Sequence, residues 1–192
     1  IDGTADLFAS PNMEHPQALA ASGKAGPVTR FSRNALCAVT LPGAGFTTDN
    51  LLVRMLDPKV KLAIFTPGAD PSGDYALQVF ARAEAVQPGA GAVLKAKATP
   101  LLGGREAPKA PAGQNPILYH LKNGDAALFL GYCTIGKGLG GKQFETVALP
   151  PMLAVAADYG MTVIHGNAKK LADFILSDKG QAILARFGFA PR

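Results

Sequence analysis

The chain has 192 residues, of which 48% are hydrophobic and 17% charged, so it is a folded globular chain rather than a disordered one. This length suits one large domain or two small ones and can bury a substantial core. The formal net charge is +5, but the basic residues are scattered, the longest basic run is Lys169-Lys170, and tryptophan is absent. The composition therefore argues against a nucleic-acid-binding surface, whereas a modest positive charge helps to attract small anions.

The predicted elements alternate between strands and helices. The pattern predicts strands at 5–9, 28–32, 35–41, 61–65, 126–130, 145–148 and 153–164. It predicts helices at 13–21 and 71–86, a helix carrying Leu51, Leu52 and Met55, and a short helix from 116 that ends at Asn123-Gly124. Two C-terminal helices follow, led by Asn167 and by Ser177-Asp178. Residues 103–113 and 136–141 are predicted loops. Short strand–helix junctions favour parallel α/β sheets, whose ligands bind at the carboxyl ends of strands near helix N-termini.

The junction at residues 66–75 is a candidate anion site and reads TPGADPSGDY. Asp70 is predicted to cap the helix and Pro71 to occupy its first position. The backbone N–H groups of Ser72 and Gly73 would then point out of the helix end, beside the Ser72 hydroxyl. Free donors at the positive end of the helix dipole favour an anion, although an ordinary capped helix is the alternative interpretation.

Other residue types give no indication of an enzyme. There is no Gly-x-Ser-x-Gly elbow, no His-Glu-x-x-His and no neighbouring Cys/His pair. The histidines (His15, His120 and His165) are isolated in sequence and are interpreted as surface or packing residues. Cys37 and Cys133 fit no metal-ligand spacing, which leaves a disulfide and two buried free thiols as equal alternatives.

Two further features bear on the compartment. No apolar run approaches the ~20 residues that span a bilayer. The first four residues, Ile-Asp-Gly-Thr, lack the charged and apolar regions of a signal peptide. From these features we expect either a cytosolic protein or a chain whose N-terminus has been removed.

Several segments together resemble the periplasmic molybdate-binding proteins of bacterial ABC importers. They are residues 3–10 (GTADLFAS), 70–76 (DPSGDYA), 125–132 (DAALFLGY) and 174–189 at the C-terminus. The resemblance implies a type II periplasmic-binding-protein fold, in which two α/β lobes with parallel-rich sheets are joined by crossing strands, here 35–41 and 153–164. Lobe I would comprise residues 1–38 and 152–192, and lobe II residues 39–151. The family's N-terminal strand–helix–strand unit, on the order of 30 residues or more, has no counterpart here, so we expect either that lobe I is incomplete or that it is built differently from that of the family.

The resemblance also implies the ligand and its contacts. Ser72 and Gly73 would bind the anion at the helix start, a backbone N–H at Gln114 or Asn115 would donate from the next helix, and the phenol of Tyr132 would donate a third hydrogen bond. The ligand would be molybdate or tungstate, held by hydrogen bonds rather than by protein–metal coordination and without a cofactor. Three donors alone predict weak binding.

The implied protein is a periplasmic monomer that delivers its ligand to a membrane-embedded ABC permease. Two alternatives keep the same fold: the effector-sensing domain of a bacterial transcription regulator, or a solute-binding protein for another small anion.

Overall fold

The computed structural model describes residues 4–138 and 141–192 and shows a mixed α/β fold in which strands and helices alternate. The strands are β1 (Leu7–Ser10), β2 (Thr29–Thr40), β3 (Leu62–Phe65), β4 (Thr99–Leu102), β5 (Leu128–Tyr132), β6 (Glu145–Ala148) and β7 (Ala156–Val163). The α-helices are α1 (Glu14–Ala21), α2 (Leu51–Leu56), α3 (Pro71–Val86), α4 (Ala90–Lys97), α5 (Pro116–Lys122), α6 (Ile135–Gly138), α7 (Lys169–Leu176) and α8 (Asp178–Arg186). Across the described ranges, no helix is both long enough and apolar enough to pass through a bilayer.

Most predicted elements are present, with five differences. The strands predicted at 28–32 and 35–41 form one continuous strand, β2, and α4 and β4 were not predicted. The strand predicted at 153–164 begins only at Ala156, because Pro151–Leu153 forms a 3₁₀ turn. The predicted loop at 136–141 contains the end of α6 and the start of a 3₁₀ turn, Gly141–Gln143, while residues 139 and 140 lie outside the described part of the chain.

The chain divides into two compact units. Unit 1 comprises residues 1–34 and 156–192, of which the structure describes those from residue 4 onward, and unit 2 comprises residues 35–155. The lobes inferred from the resemblance divide instead after residues 38 and 151. Strand β2 supplies residues to both units.

In unit 1, β1 pairs antiparallel with β7, with Leu7 opposite Val163 and Ser10 opposite Gly160. The C-terminal helices belong to this unit, and the Ser177 side chain caps α8 by accepting the Gly180 N–H at 3.2 Å, as its position before the helix predicts. Asp158 on β7 forms salt bridges with Arg30 and Arg33 of β2 at 3.3 and 3.2 Å.

Unit 2 is built on a mixed sheet. Strand β3 pairs parallel with both β4 and β5, because helices connect these strands in sequence. The second half of β2 pairs antiparallel with β5 and with β6. The predicted parallel pairing therefore holds for β3, β4 and β5, but β2 and β6 add antiparallel ladders, as does the β1–β7 pair of unit 1.

Both faces of this sheet are covered, because side chains alternate along each strand. On β5, Leu128 and Leu130 join one core cluster with residues of α3 and α4, whereas Phe129 joins a second cluster with residues of α5. The buried His120 belongs to α5, and its Nδ1 lies 2.9 Å from Asp125. Its ring also contacts the Phe129 ring, with centroids 6.4 Å apart. The sheet is thus held rigidly from both sides, and its edges position the candidate site.

Candidate functional site

The candidate site lies at the carboxyl edge of the parallel strands of unit 2. Strands β3 and β5 are parallel neighbours, so Phe65 and Tyr132 end at the same edge. Strand β4 is parallel to β3 and brings the loop after Leu102 to this edge as well. Loops at this edge are where open α/β sheets bind ligands.

Helix α3 begins as the sequence predicts, with Asp70 as the N-cap and Pro71 at its first position. The Asp70 carboxylate accepts the Ser72 N–H at 2.8 Å, and the Asp70 carbonyl accepts the Gly73 N–H at 2.9 Å. The expectation that these two amides are free donors is therefore wrong. The capping residue satisfies both of them, since its carboxylate accepts one unpaired N–H group of the first helical turn and its backbone carbonyl accepts the other.

The Ser72 hydroxyl differs from the amides. Ser72 is fully buried, and its Oγ has no hydrogen-bond partner among the residues that the structure describes. A buried hydroxyl without a partner costs about 1–3 kcal/mol. Such a group at the positive end of a 16-residue helix points to a partner that is not part of the protein.

Gly73 allows the helix to start this close to the strand. A Cβ at this position would lie 2.5 Å from the Phe65 carbonyl oxygen and 2.7 Å from the Pro67 nitrogen, both backbone atoms. The glycine therefore sets the distance between α3 and the end of β3, and with it the position of Ser72.

Two carboxylates lie at this helix start. Burial raises the pKa of Asp70, an effect that the Ser72 N–H opposes and that repulsion from Asp74 reinforces. The exposed Asp74 accepts the Gly68 N–H at 2.8 Å. Both carboxylates are thus bonded to nearby backbone amides, but Asp70 still disfavours a second negative charge nearby.

The loop after β4 packs directly against this helix start. A Cβ at Gly103, whose φ is +81°, would lie 2.7 Å from the Asp70 Cβ, and one at Gly104 would lie 2.6 Å from the Thr66 Oγ1. The Thr66 N–H and hydroxyl both donate to the Leu102 carbonyl, at 2.7 and 2.8 Å. The loop at 103–113 was predicted from the sequence. Its contact with the start of α3 was not, because that contact depends on strand β4, which was not predicted.

Tyr132 is the last residue of β5 and pairs with Leu36 of β2. The next residue, Cys133, forms a disulfide with Cys37, so the alternative of free thiols is excluded. The Tyr132 ring makes an edge-to-face contact with the Tyr75 ring, with centroids 6.4 Å apart and planes at 70°. Tyr75 follows Ser72 by about one turn on α3.

Gln114 and Asn115 lie at the start of α5. The Asn115 side chain caps this helix by accepting the Leu118 N–H at 3.1 Å, and the Gln114 N–H donates to the Pro111 carbonyl at 3.1 Å. The Gln114 amide is therefore engaged in a turn. Both residues line a depression of about 610 Å³ whose lining, within the described chain, does not include Ser72 or Tyr132.

The structure thus places Ser72 and Gly73 in the first turn of α3 and brings Tyr75 of the same helix against Tyr132, whereas Gln114 and Asn115 line a separate depression. Sequence reasoning did not single out Tyr75 as a site residue. The signal available in the sequence was its spacing of three residues from Ser72, which places both on one side of a helix. Within the described residues, no three His, Cys, Asp or Glu side chains are grouped so that they could hold a metal ion.

The pattern of the bacterial extracellular solute-binding proteins matches residues 2–190. The chain belongs to this family. An uncharacterised protein of Pasteurella multocida is 33% identical over 191 residues, which cover 97% of this chain and 78% of that protein. Members of the family bind a solute rather than transform it, and they act outside the cytoplasm.

Solved structures share the fold at low sequence identity. The periplasmic molybdate-binding protein of Azotobacter vinelandii superposes with a TM-score of 0.70 at 14% identity, covering 97% of this chain and 78% of that one. The sulfate-binding protein of Mycobacterium tuberculosis superposes with a TM-score of 0.69 at 17% identity, covering 97% of this chain and 69% of that one. At these identities the likeness establishes the two-lobed periplasmic-binding-protein fold and nothing finer.

Proposed function

We propose that this solute-binding protein captures a tetrahedral oxoanion of the molybdate and tungstate type in the periplasm and delivers it to a membrane-embedded ABC permease. The observation that carries the proposal is the fully buried Ser72 hydroxyl, which has no partner among the described residues, at the N-terminus of α3. An oxoanion presents only acceptors, so it would satisfy this donor.

Neutral donors suit such a ligand. The helix dipole contributes partial positive charge at the N-terminus of α3, so no cationic side chain is needed. A buried arginine would instead add a desolvation cost of its own. The Ser72 hydroxyl and the Tyr132 phenol are both shielded from solvent, where a hydrogen bond to an anion is strongest.

The energetics indicate that these two groups do not suffice. A hydrogen bond to a charged group contributes about 1.5–3 kcal/mol, so two give about 3–6 kcal/mol. Micromolar affinity requires about 8 kcal/mol. The proposal therefore needs further donors in addition to the Ser72 hydroxyl and the Tyr132 phenol.

One comparison supports the class of ligand, and one feature of the structure supports the compartment. Proteins described as binding molybdate and sulfate, both tetrahedral dianions, share the fold. The Cys37–Cys133 disulfide fits an oxidising compartment such as the periplasm, since cytosolic thiols are kept reduced.

Isothermal titration calorimetry tests the proposal directly. Molybdate, tungstate, sulfate and phosphate are titrated into the protein at fixed pH and ionic strength, with a sugar and an organic acid as unrelated solutes. We expect heat from molybdate and tungstate and a weaker response to the other two oxoanions. A response to the sugar or the organic acid, with none to any oxoanion, would contradict the proposed ligand.

A further inference from the structure

The backbone of Tyr132 is fixed from several directions. Strand β5 pairs with β2 on one side and with β3 on the other. The Cys133 N–H donates to the Ala35 carbonyl at 2.9 Å, and the disulfide ties Cys133 to Cys37, with 4.9 Å between their Cα atoms. These bonds hold the Cα of Tyr132 in place, but they leave the rotation of its side chain to the neighbouring groups.

The position of the phenol oxygen depends on that rotation. The hydroxyl lies at the far end of the ring, so a change of χ1 from one staggered rotamer to another moves it by several ångströms. A donor displaced by that much no longer reaches a ligand held by Ser72. A residue that restrains the ring is therefore needed if the hydroxyl is to be pre-organised for binding.

Tyr75 occupies the position from which this restraint can act. Its ring meets the Tyr132 ring edge to face, the geometry that the aromatic quadrupole favours, and both side chains pack against the larger core cluster of unit 2. Tyr75 also lies one turn from Ser72 on the rigid helix α3. The same helix therefore carries one proposed donor and contacts the ring that carries the other.

We propose that Tyr75 is a positioning residue: it sets the orientation of the Tyr132 ring relative to Ser72 and so raises the affinity for the oxoanion without contacting it. This inference rests on the proposed function. It assigns to Tyr75 a role that goes beyond packing, because a core residue would support stability but would not act through one particular hydroxyl.

A double-mutant cycle separates the two roles. Molybdate affinity is measured by calorimetry for wild type, Tyr75→Leu, Tyr132→Phe and the double variant. We expect Tyr75→Leu to weaken binding by about fivefold, since an edge-to-face pair is worth a factor of roughly 2 to 10. In the Tyr132→Phe background, which lacks the hydroxyl, the same change should alter affinity by less than about twofold.

Conservative and control variants complete the test. Tyr75→Phe keeps the ring and should bind molybdate as wild type does. Phe31→Leu removes a comparable edge-to-face pair in unit 1, where Phe31 and Tyr159 lie 6.0 Å apart, and should leave the affinity unchanged. The chain has four tyrosines, so ring-labelled tyrosine NMR can follow Tyr132 in the free protein, and its signal should shift or broaden in folded Tyr75→Leu.

The outcomes are distinguishable. Suppose that wild type binds molybdate and that Tyr75→Leu lowers the affinity equally in the wild-type and Tyr132→Phe backgrounds, or lowers it in neither. Tyr75 then does not act through Tyr132, and the inference is overturned while the proposed function stands. A loss of affinity in Tyr75→Phe overturns it as well. If wild type binds no oxoanion, the proposed function fails and takes this inference with it.

Discussion

The Asp70 carboxylate accepts the Ser72 N–H at 2.8 Å, so one residue caps helix α3 and places a negative charge beside the proposed oxoanion site. The helix start is therefore stabilised by a group that opposes the ligand. Asp70 stabilises the helix but disfavours an anion, so substitutions at Asp70 and Ser72 should change stability and binding in different directions.

Ser72→Ala should separate stability from binding. The change removes a buried hydroxyl that has no partner in the described part of the chain, so the ligand-free protein should be unchanged or more stable by up to about 3 kcal/mol. Oxoanion affinity should fall by roughly 1.5–3 kcal/mol because a hydrogen bond to a charged group is lost. Thermal unfolding and calorimetry measure the two effects. Ser22→Ala, at an exposed helix end, is the matched control, and equal oxoanion affinity in both variants would remove Ser72 from the site.

Asp70→Asn should strengthen oxoanion binding by roughly threefold or more, because it removes a like charge from a partly buried position. Asparagine caps helices as well as aspartate, so the free energy of unfolding should change little. The affinity of both proteins is measured by calorimetry at neutral pH. Asp74→Asn, at an exposed and better screened carboxylate, should have the smaller effect. Weaker binding by Asp70→Asn would contradict the expected repulsion between this carboxylate and the oxoanion.

The raised pKa of Asp70 predicts a distinct pH dependence of stability. In the window that begins near the ordinary value of 3.8 and extends up to the raised pKa, the folded state binds this proton and the unfolded state releases it. The contribution of Asp70 to the free energy of unfolding should therefore fall as pH rises through this window. Urea unfolding of wild type and Asp70→Asn from pH 4 to 7 isolates the effect. We expect wild type to lose stability relative to Asp70→Asn as pH rises, and the reverse trend would refute the assigned direction.

Gly73→Ala should destabilise the protein by about 1–3 kcal/mol, the usual cost of overpacking. The added Cβ would meet backbone atoms of residues 65–67, which cannot rotate away as a side chain could. Gly166→Ala is the matched control, since a Cβ there has nothing within 4 Å and φ is not positive. Urea unfolding should show a loss for the first variant and no loss for the second.

Reducing the Cys37–Cys133 disulfide should lower the free energy of unfolding by about 2–5 kcal/mol, because the bond closes a loop with a sequence separation of 96. The effect is measured by urea unfolding with and without reductant. A double Cys→Ser variant should match reduced wild type and respond to reductant no further. A thiol assay on denatured, unreduced protein should detect no free thiol, and two thiols per chain would contradict the bond.

Local signals account for the helix starts that the sequence predicted. An aspartate or asparagine followed by proline defines the starts of α3 and α5, and both caps form as the side chains dictate. The availability of the Ser72 and Gly73 amides could not be inferred in the same way, because it depends on whether the cap takes the donors or leaves them to a ligand.

Long-range geometry accounts for most of what sequence reasoning missed. Strand β4 carries proline and lies at the sheet edge, so its short pattern is weak, and the contact between Gly104 and Thr66 exists only once β4 pairs with β3. The disulfide likewise depends on the register of β2 against β5, which brings together cysteines far apart in sequence.

The close packing at Gly73, Gly103 and Gly104 has a consequence for engineering a new ligand specificity. Any side chain added at these positions would meet a neighbour at 2.7 Å or less, so substitutions there would destabilise the fold. The largely exposed residues 105–112 leave the same edge of the sheet and carry no such constraint. Diversity introduced there could explore new solutes while the scaffold beneath stays intact.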